Sequence, residues 1–134
     1  MIVLDEQLLG YDLPEKIGPW YRGPVKMILE LRPDTLIPDD EIPRLLRAAP
    51  RPTFVTINVK DFWRRAAPDR QFAIICFSLL DRQIGEIPRL LRRLFALKPF
   101  QTRRSRLGKI VRVTPQMVQF YTAESWAVET IEWP

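Results

Sequence analysis

Thr53-Phe54-Val55-Thr56-Ile57-Asn58-Val59-Lys60-Asp61-Phe62 is the stretch that decides how this chain folds. Residues 53–58 are nearly continuous apolar and β-branched, the pattern of a strand buried on both faces. The run ends in Asn and Asp, and a short helix is expected over 59–66. Such a strand belongs in a parallel sheet covered by helices, whose strands bring their carboxyl ends to one edge, where ligands bind.

Working outward, Met1-Ile2-Val3-Leu4-Asp5-Glu6 repeats the theme: an apolar strand over 2–5 that runs into two carboxylates. Residues 6–24 are interrupted by Gly10, Pro14, Gly18, Pro19, Gly23 and Pro24, so any helix there is short. A second strand is expected over 25–31, closed by Arg32-Pro33-Asp34, and a helix over 40–48. Asp39 or Asp40 can cap that helix, Pro43 falls harmlessly in its first turn, and Pro50 and Pro52 end it. Further strands are expected over 71–77, over 109–114 after Gly108, and over 117–122, with the longest amphipathic helix over 84–97. Strands alternating with helices predict an α/β fold with a mainly parallel sheet, helices on both faces, and one domain over 1–134. Glu41-Ile-Pro-Arg-Leu-Leu-Arg47 recurs as Glu86-Ile-Pro-Arg-Leu-Leu-Arg92, but the flanks do not match, so the same helix start is used twice rather than a repeat unit.

The absence of histidine excludes Ser-His-Asp and Cys-His catalysis and His-ligated zinc. Cys76 is the only cysteine and lies in the apolar run Phe72-Ala73-Ile74-Ile75-Cys76-Phe77, so a disulfide within the chain is excluded and a buried, inert thiol is expected. The 13 prolines are about twice the usual ~5% share and are scattered, which marks them as element boundaries. No apolar run approaches the ~18 residues of a membrane span, and neither a membrane association nor a secretory signal is expected, which predicts a cytoplasmic protein. Net charge is +5, distributed as −5 over 1–41, +13 over 42–112 and −3 over 113–134. A basic middle beside a small acidic cluster suits a polyanion handled near a cation, although an Arg-rich solvated surface would have the same composition.

The cluster itself is Asp5 and Glu6, Asp39-Asp40-Glu41, and Asp61 with Asn58, all at strand ends or helix starts. Carboxylate oxygens from such positions can share one pocket and suit a hard divalent cation. Each also has an ordinary structural use: Asp5 as a solvated strand end, Asp40 as an N-cap, Asp61 as the cap of the helix carrying Phe62 and Trp63. Arg103-Arg104-Ser105-Arg106, with Lys109 and Arg112, is a candidate phosphate-binding run, and Trp63 beside Arg64-Arg65 a candidate base-stacking residue or a core residue.

The order Asp5-Glu6, then Asp40-Glu41-Ile42, then Thr56-Ile57-Asn58 and Asp61-Phe62 resembles the PIN-like superfamily, in particular small bacterial PIN-like proteins linked to toxin–antitoxin pairs. The resemblance covers roughly residues 1–80. It implies a three-layer α/β/α sandwich and an acidic pocket that holds Mg²⁺ or Mn²⁺ and hydrolyses RNA phosphodiesters with metal-activated water. It implies Asp5, Asp40 and Asp61 as the catalytic carboxylates and metal ligands, Glu41 as a further ligand, and Glu6, Thr56 and Asn58 in support. Many members carry Asp where this chain has Asn58, with tighter spacing to the Asp-Phe pair; Asp81 is a candidate substitute. Arg103, Arg104, Arg106 and Lys109 are the residues expected to hold RNA. The expected partners are RNA, an antitoxin-like protein and a second copy of the chain. Three readings follow: a metal-dependent endoribonuclease, a non-catalytic PIN-like module that binds RNA or a protein, which Asn58 favours, and a hydrolase or phosphotransferase of small phosphorylated substrates. The lack of a phosphate-cradling Gly loop counts against the third.

Overall fold

The apolar runs become strands buried along their whole length: β1 (Ile2–Leu4), β3 (Thr53–Thr56) and β4 (Ala73–Phe77). They are joined by β2 (Val25–Met27), β5 (Lys109–Val113), β6 (Met117–Thr122) and β7 (Glu129–Glu132) in one seven-stranded sheet. The computed structural model that describes them covers residues 1–33 and 37–134. Strand order is β2-β1-β3-β4-β5-β6-β7; the first five are parallel, and β6 and β7 are antiparallel. The fold is therefore α/β with a mixed sheet, its parallel part in the first five strands.

Alternate residues of the strands feed two apolar clusters, because side chains in a strand point to opposite faces. Ile2, Leu4, Val55, Ile75, Phe77, Val111 and Val113 pack with Leu13 and Ile17 of α1 (Leu13–Ile17) and with Leu90, Leu91 and Leu94 of α4 (Ile87–Ala96). Val3, Phe54, Ile74, Cys76 and Ile110 pack with Ile42 and Leu46 of α2 (Ile42–Ala48) and Phe62 of α3 (Val59–Phe62). Cys76 is fully buried and burial pushes its thiol well above the ordinary range, so it is an inert core residue.

Several elements are shorter than expected, for local reasons. The second strand stops at Met27 because the Glu30 carboxylate turns back and accepts from the Met27 N–H at 2.6 Å, which closes a 3-10 turn over Ile28–Glu30. Asp34 of the expected closing turn lies outside the described residues. The helix expected over 59–66 ends at Phe62: Trp63 is extended and Arg64 takes φ 63°, a left-handed conformation that no helix continues through. The helices expected over 40–48 and 84–97 begin as 3-10 turns, Asp39–Glu41 and Asp81–Glu86, before Pro43 and Pro88 enter their first α-helical turns. Neither Asp39 nor Asp40 caps α2, contrary to expectation; Asp39 opens the preceding turn instead. Among the described residues no helix is long and apolar enough to cross a membrane.

Candidate functional site

Asp5 follows β1 directly, its N–H bound to the Val55 carbonyl, and so sits at the carboxyl edge of the sheet between β1 and β3. Its side chain is buried, 3% exposed, with both oxygens engaged. Oδ1 accepts from the Glu6 N–H at 2.8 Å, and Oδ2 accepts from the Thr56 hydroxyl at 2.6 Å. Burial raises the Asp5 carboxyl above its ordinary range, and the hydrogen bonds from Thr56 and Glu6 draw it part of the way back.

Thr56 ends β3 and passes the network on. Its oxygen accepts from the Asn58 N–H at 3.0 Å. Asn58 caps α3, its Oδ1 accepting from the Asp61 N–H at 3.2 Å, which is the capping role expected of Asp61. The Asn58 Nδ2 then donates to two carboxylates, Asp39 at 2.9 Å and Asp61 at 2.8 Å. One continuous hydrogen-bonded chain thus joins Asp5, Thr56, Asn58, Asp39 and Asp61, residues from three separate regions of the sequence.

The electrostatics follow from that crowding. Asp39 is pushed up to about 6, first by desolvation, then by the hydrogen bond it shares with Asp61 and by the charges of Asp5, Asp61 and Glu6. Asp61 is held below its ordinary range, chiefly by the Asn58 amide and then by its bond to Asp39. The two titrate as a pair that shares a proton, since neighbouring like charges resist simultaneous ionisation. Asp39, Asp40, Asp61 and Arg65 line a cleft of about 340 Å³, floored by Phe62, Pro43 and Ala66.

The expected site residues divide accordingly. Asp5, Thr56, Asn58 and Asp61 come together, and Glu6 adjoins them. Asp40 is exposed on the cleft wall without joining the network, while Asp39, one residue earlier, takes the inward place. Glu41 is turned to Arg32, with an ion pair of 2.6 Å. Asp81 is exposed in the turn before α4 and makes no hydrogen bond or ion pair with the group. Trp63 packs on Tyr121 with ring centroids 5.2 Å apart, and partly buried, it braces the second core cluster.

The basic run is at the other edge of the sheet. Lys109 begins β5, at the end remote from Asp5, and its Nζ donates to the Pro99 carbonyl at 2.8 Å. Arg106 is 5% exposed, with Nη1 on the Phe100 carbonyl at 2.9 Å, Nε 3.3 Å from the Thr53 hydroxyl, and its guanidinium 3.9 Å from the Phe95 ring centroid. Arg106 is thus a core cation, unavailable to a polyanion, and only Arg103 and Arg104 of the run are exposed on α5 (Arg103–Arg106). Lys60 and Arg65 are the cations whose charge acts on Asp61, Arg65 from the cleft wall, while Arg112 is paired across the sheet with Cys76, the neighbour of Thr56. Arg112 donates from Nη1 to Gln119 at 3.0 Å, and its buried Nε has no partner among the described residues. Sequence reasoning includes Asp39 in the acidic triplet but assigns Asp40 and Glu41 as the ligands, since the inward member depends on the phase of a 3-10 turn, and it names Arg65 only as a neighbour of Trp63.

The carboxylates nearest to a cation site are a pair, joined through the Asn58 amide nitrogen. Asp39 and Asp61 offer two close carboxylates with excess negative charge, and a hydrated Mg²⁺ needs one or two. A closed cage is a different matter: among the described residues no group of three or more His, Cys, Asp or Glu side chains is arranged to hold an ion. Compared with family models, with curated proteins and with solved structures, the chain matches none.

Proposed function

We propose that the chain is a PIN-like domain over 1–134, a three-layer α/β/α sandwich, that cleaves RNA with Mg²⁺ or Mn²⁺ at the carboxyl edge of its parallel strands. The observation that carries this reading is the network in which Thr56 and Asn58 tie Asp5 to the carboxylate pair of Asp39 and Asp61. Asp39 and Asp61 would hold the ion, with Asp40 at the cleft wall and Asp5 as the buried charge behind them. When bound, the ion lowers the pKa of a coordinated water and stabilises charge developing on a phosphoryl oxygen, which is why the chemistry needs no histidine. Thr56 fixes Asp5 by its hydroxyl. Asn58 orients Asp61 through both its amide oxygen and its amide nitrogen. Arg65, on the wall of the same cleft, supplies a cation for a phosphate, while Arg103 and Arg104 lie too far round the sheet to act on the scissile group. An antitoxin-like protein remains the proposed partner, with a toxin role in view.

One observation favours the alternative, a non-catalytic module that binds RNA or a protein. The Asn58 amide bridges Asp39 and Asp61 as a cation would, so the pair is already crosslinked by protein. The test is cleavage of a mixed RNA pool at several Mn²⁺ concentrations by the wild type, Asp5→Asn and Asn58→Asp. Cleavage by wild type that is lost in Asp5→Asn is expected; no cleavage by any variant, with Mn²⁺ bound, would establish the alternative.

A further inference from the structure

The Glu-Ile-Pro-Arg-Leu-Leu-Arg motif occurs on both faces of the sheet, and its two copies are not equivalent. In α2 the arginines are ordinary surface groups: Arg44 is exposed and Arg47 reaches Asp69 at 3.6 Å. In α4 the same positions, Arg89 and Arg92, continue into Arg93 and Ala96, at spacings of three, four and seven residues, the stripe by which one helix packs on another. Two adjoining hollows of about 440 and 390 Å³ follow this stripe, sharing Trp20, Arg92 and Ala96.

The guanidiniums here are held in place. Arg92 lies 5.9 Å from the Trp20 ring centroid and Arg93 4.6 Å from that of Trp133. Neither is within ion-pair distance of a carboxylate among the described residues; Arg89 alone has one, Glu86 at 2.7 Å. A guanidinium laid on a ring keeps its in-plane N–H groups free for a planar, two-toothed acceptor. Each ring carries one arginine over it, which leaves less of its face for a stacked nucleobase. The floor between them, Trp20 with Pro88 and Ala96, is apolar and suits an aliphatic side chain.

We propose that the outer face of α4 docks an acidic amphipathic helix of a partner protein, with Asp or Glu at three- and four-residue spacing to meet Arg89, Arg92 and Arg93 and one aliphatic residue against Trp20. Charge complementarity and helix spacing select this occupant. A second copy of the chain does not supply it, because among the described residues no α-helix carries two carboxylates, and the acidic 3-10 turns Asp39–Glu41 and Asp81–Glu86 hold theirs at spacings of one, two or five residues. The surface is independent of the acidic cleft and does not rest on its chemistry.

The identical motif in α2 provides a charge-matched control. The probe is a fluorescein-labelled synthetic helix of Glu, Ala and Leu, with a single Leu stripe and Glu at three- and four-residue spacing beside it, followed by anisotropy at low salt, with a single-stranded RNA of equal charge in parallel. The Arg89→Ala/Arg92→Ala variant is expected to weaken peptide binding by about tenfold or more, as loss of two charge-assisted contacts implies. Arg44→Ala/Arg47→Ala is expected to change it by less than about twofold, since exposed single charges contribute little. Arg92→Lys, which keeps the charge and loses the stacked fork, is expected to weaken it about threefold and serves if the double variant is unstable. Equal loss in both double variants, no saturable binding by wild type, or discrimination between the double variants by RNA instead of peptide would each overturn the proposal. So would a homo-oligomer, read by sedimentation, that the α4 variant dissociates.

Discussion

Asp39→Asn isolates the cost of crowding charge at the carboxyl edge. The substituted amide can still accept from the Asn58 Nδ2, so the network survives while the ionisable group goes. A shift from 3.8 to about 6 spans roughly two pKa units, or about 3 kcal/mol at ~1.36 kcal/mol per unit. Asp39 is partly exposed and its proton is shared with Asp61, so solvent screening reduces the realised effect to about 1 kcal/mol. The folded state holds this proton more tightly than the unfolded state does. The stability penalty is therefore absent below about pH 4, grows between pH 4 and 6, and is complete above. Asp39→Asn is expected to be more stable than wild type by about 1 kcal/mol at pH 7, a urea midpoint higher by ~0.5 M for a slope of about 2 kcal/mol/M, and to match wild type near pH 4. Tryptophan fluorescence in urea, at both pH values and with EDTA present, reads both numbers. A variant less stable at pH 7, or a gain of equal size at pH 4, would refute the argument that like-charge crowding raises this carboxyl.

Asn58→Asp removes the donor that bridges Asp39 and Asp61 and adds a third charge, so in EDTA it is expected to lose about 1–2 kcal/mol at pH 7 and to recover more of it with Mn²⁺ than wild type gains; thermal unfolding with and without Mn²⁺ checks both signs. Thr56→Val leaves the buried Asp5 oxygen without its donor and is expected to cost about 1–3 kcal/mol at pH 7 while raising the Asp5 pKa further, which carboxyl NMR titration reads. Arg106→Ala strips a buried cation from Thr53, Phe100 and Phe95 and is expected to destabilise by about 2–4 kcal/mol, whereas Arg103→Ala/Arg104→Ala should stay within about 0.5 kcal/mol, both by urea denaturation.

The central strands were legible because a strand buried on both faces leaves an unbroken run of apolar or β-branched residues, and 2–4, 53–56 and 73–77 all carry one. β7 escaped notice because Glu129-Thr130-Ile131-Glu132 is an exposed strand with one apolar residue, defined by its pairing with β6 alone. In the site, Asp5, Thr56, Asn58 and Asp61 could be proposed from strand ends, since topology alone brings those to one edge. Choosing Asp39 over Asp40 was beyond the sequence, because a one-residue change of phase in a 3-10 turn reverses which side chain points inward. Arg106 misled for a related reason: a run of arginines looks alike on paper, and only the fold reveals that one of them is enclosed by Phe95, Phe100 and Thr53.

The strand order carries a consequence for biogenesis. β1 pairs first with β2, and β3 to β7 then join one after another at a free border, so no strand must be wedged between two already zipped together. A chain emerging from the ribosome can therefore assemble the sheet in the order of its synthesis, domains generally forming from the N-terminal side during translation. Each half-built stage presents the next unpaired backbone to solvent, and a ribosome stalled after β4 would leave the fully apolar flank of Ala73–Phe77 open. The last addition, β7, sets Glu129 and Glu132 on the outermost strand, where charge discourages a further neighbour and growth stops.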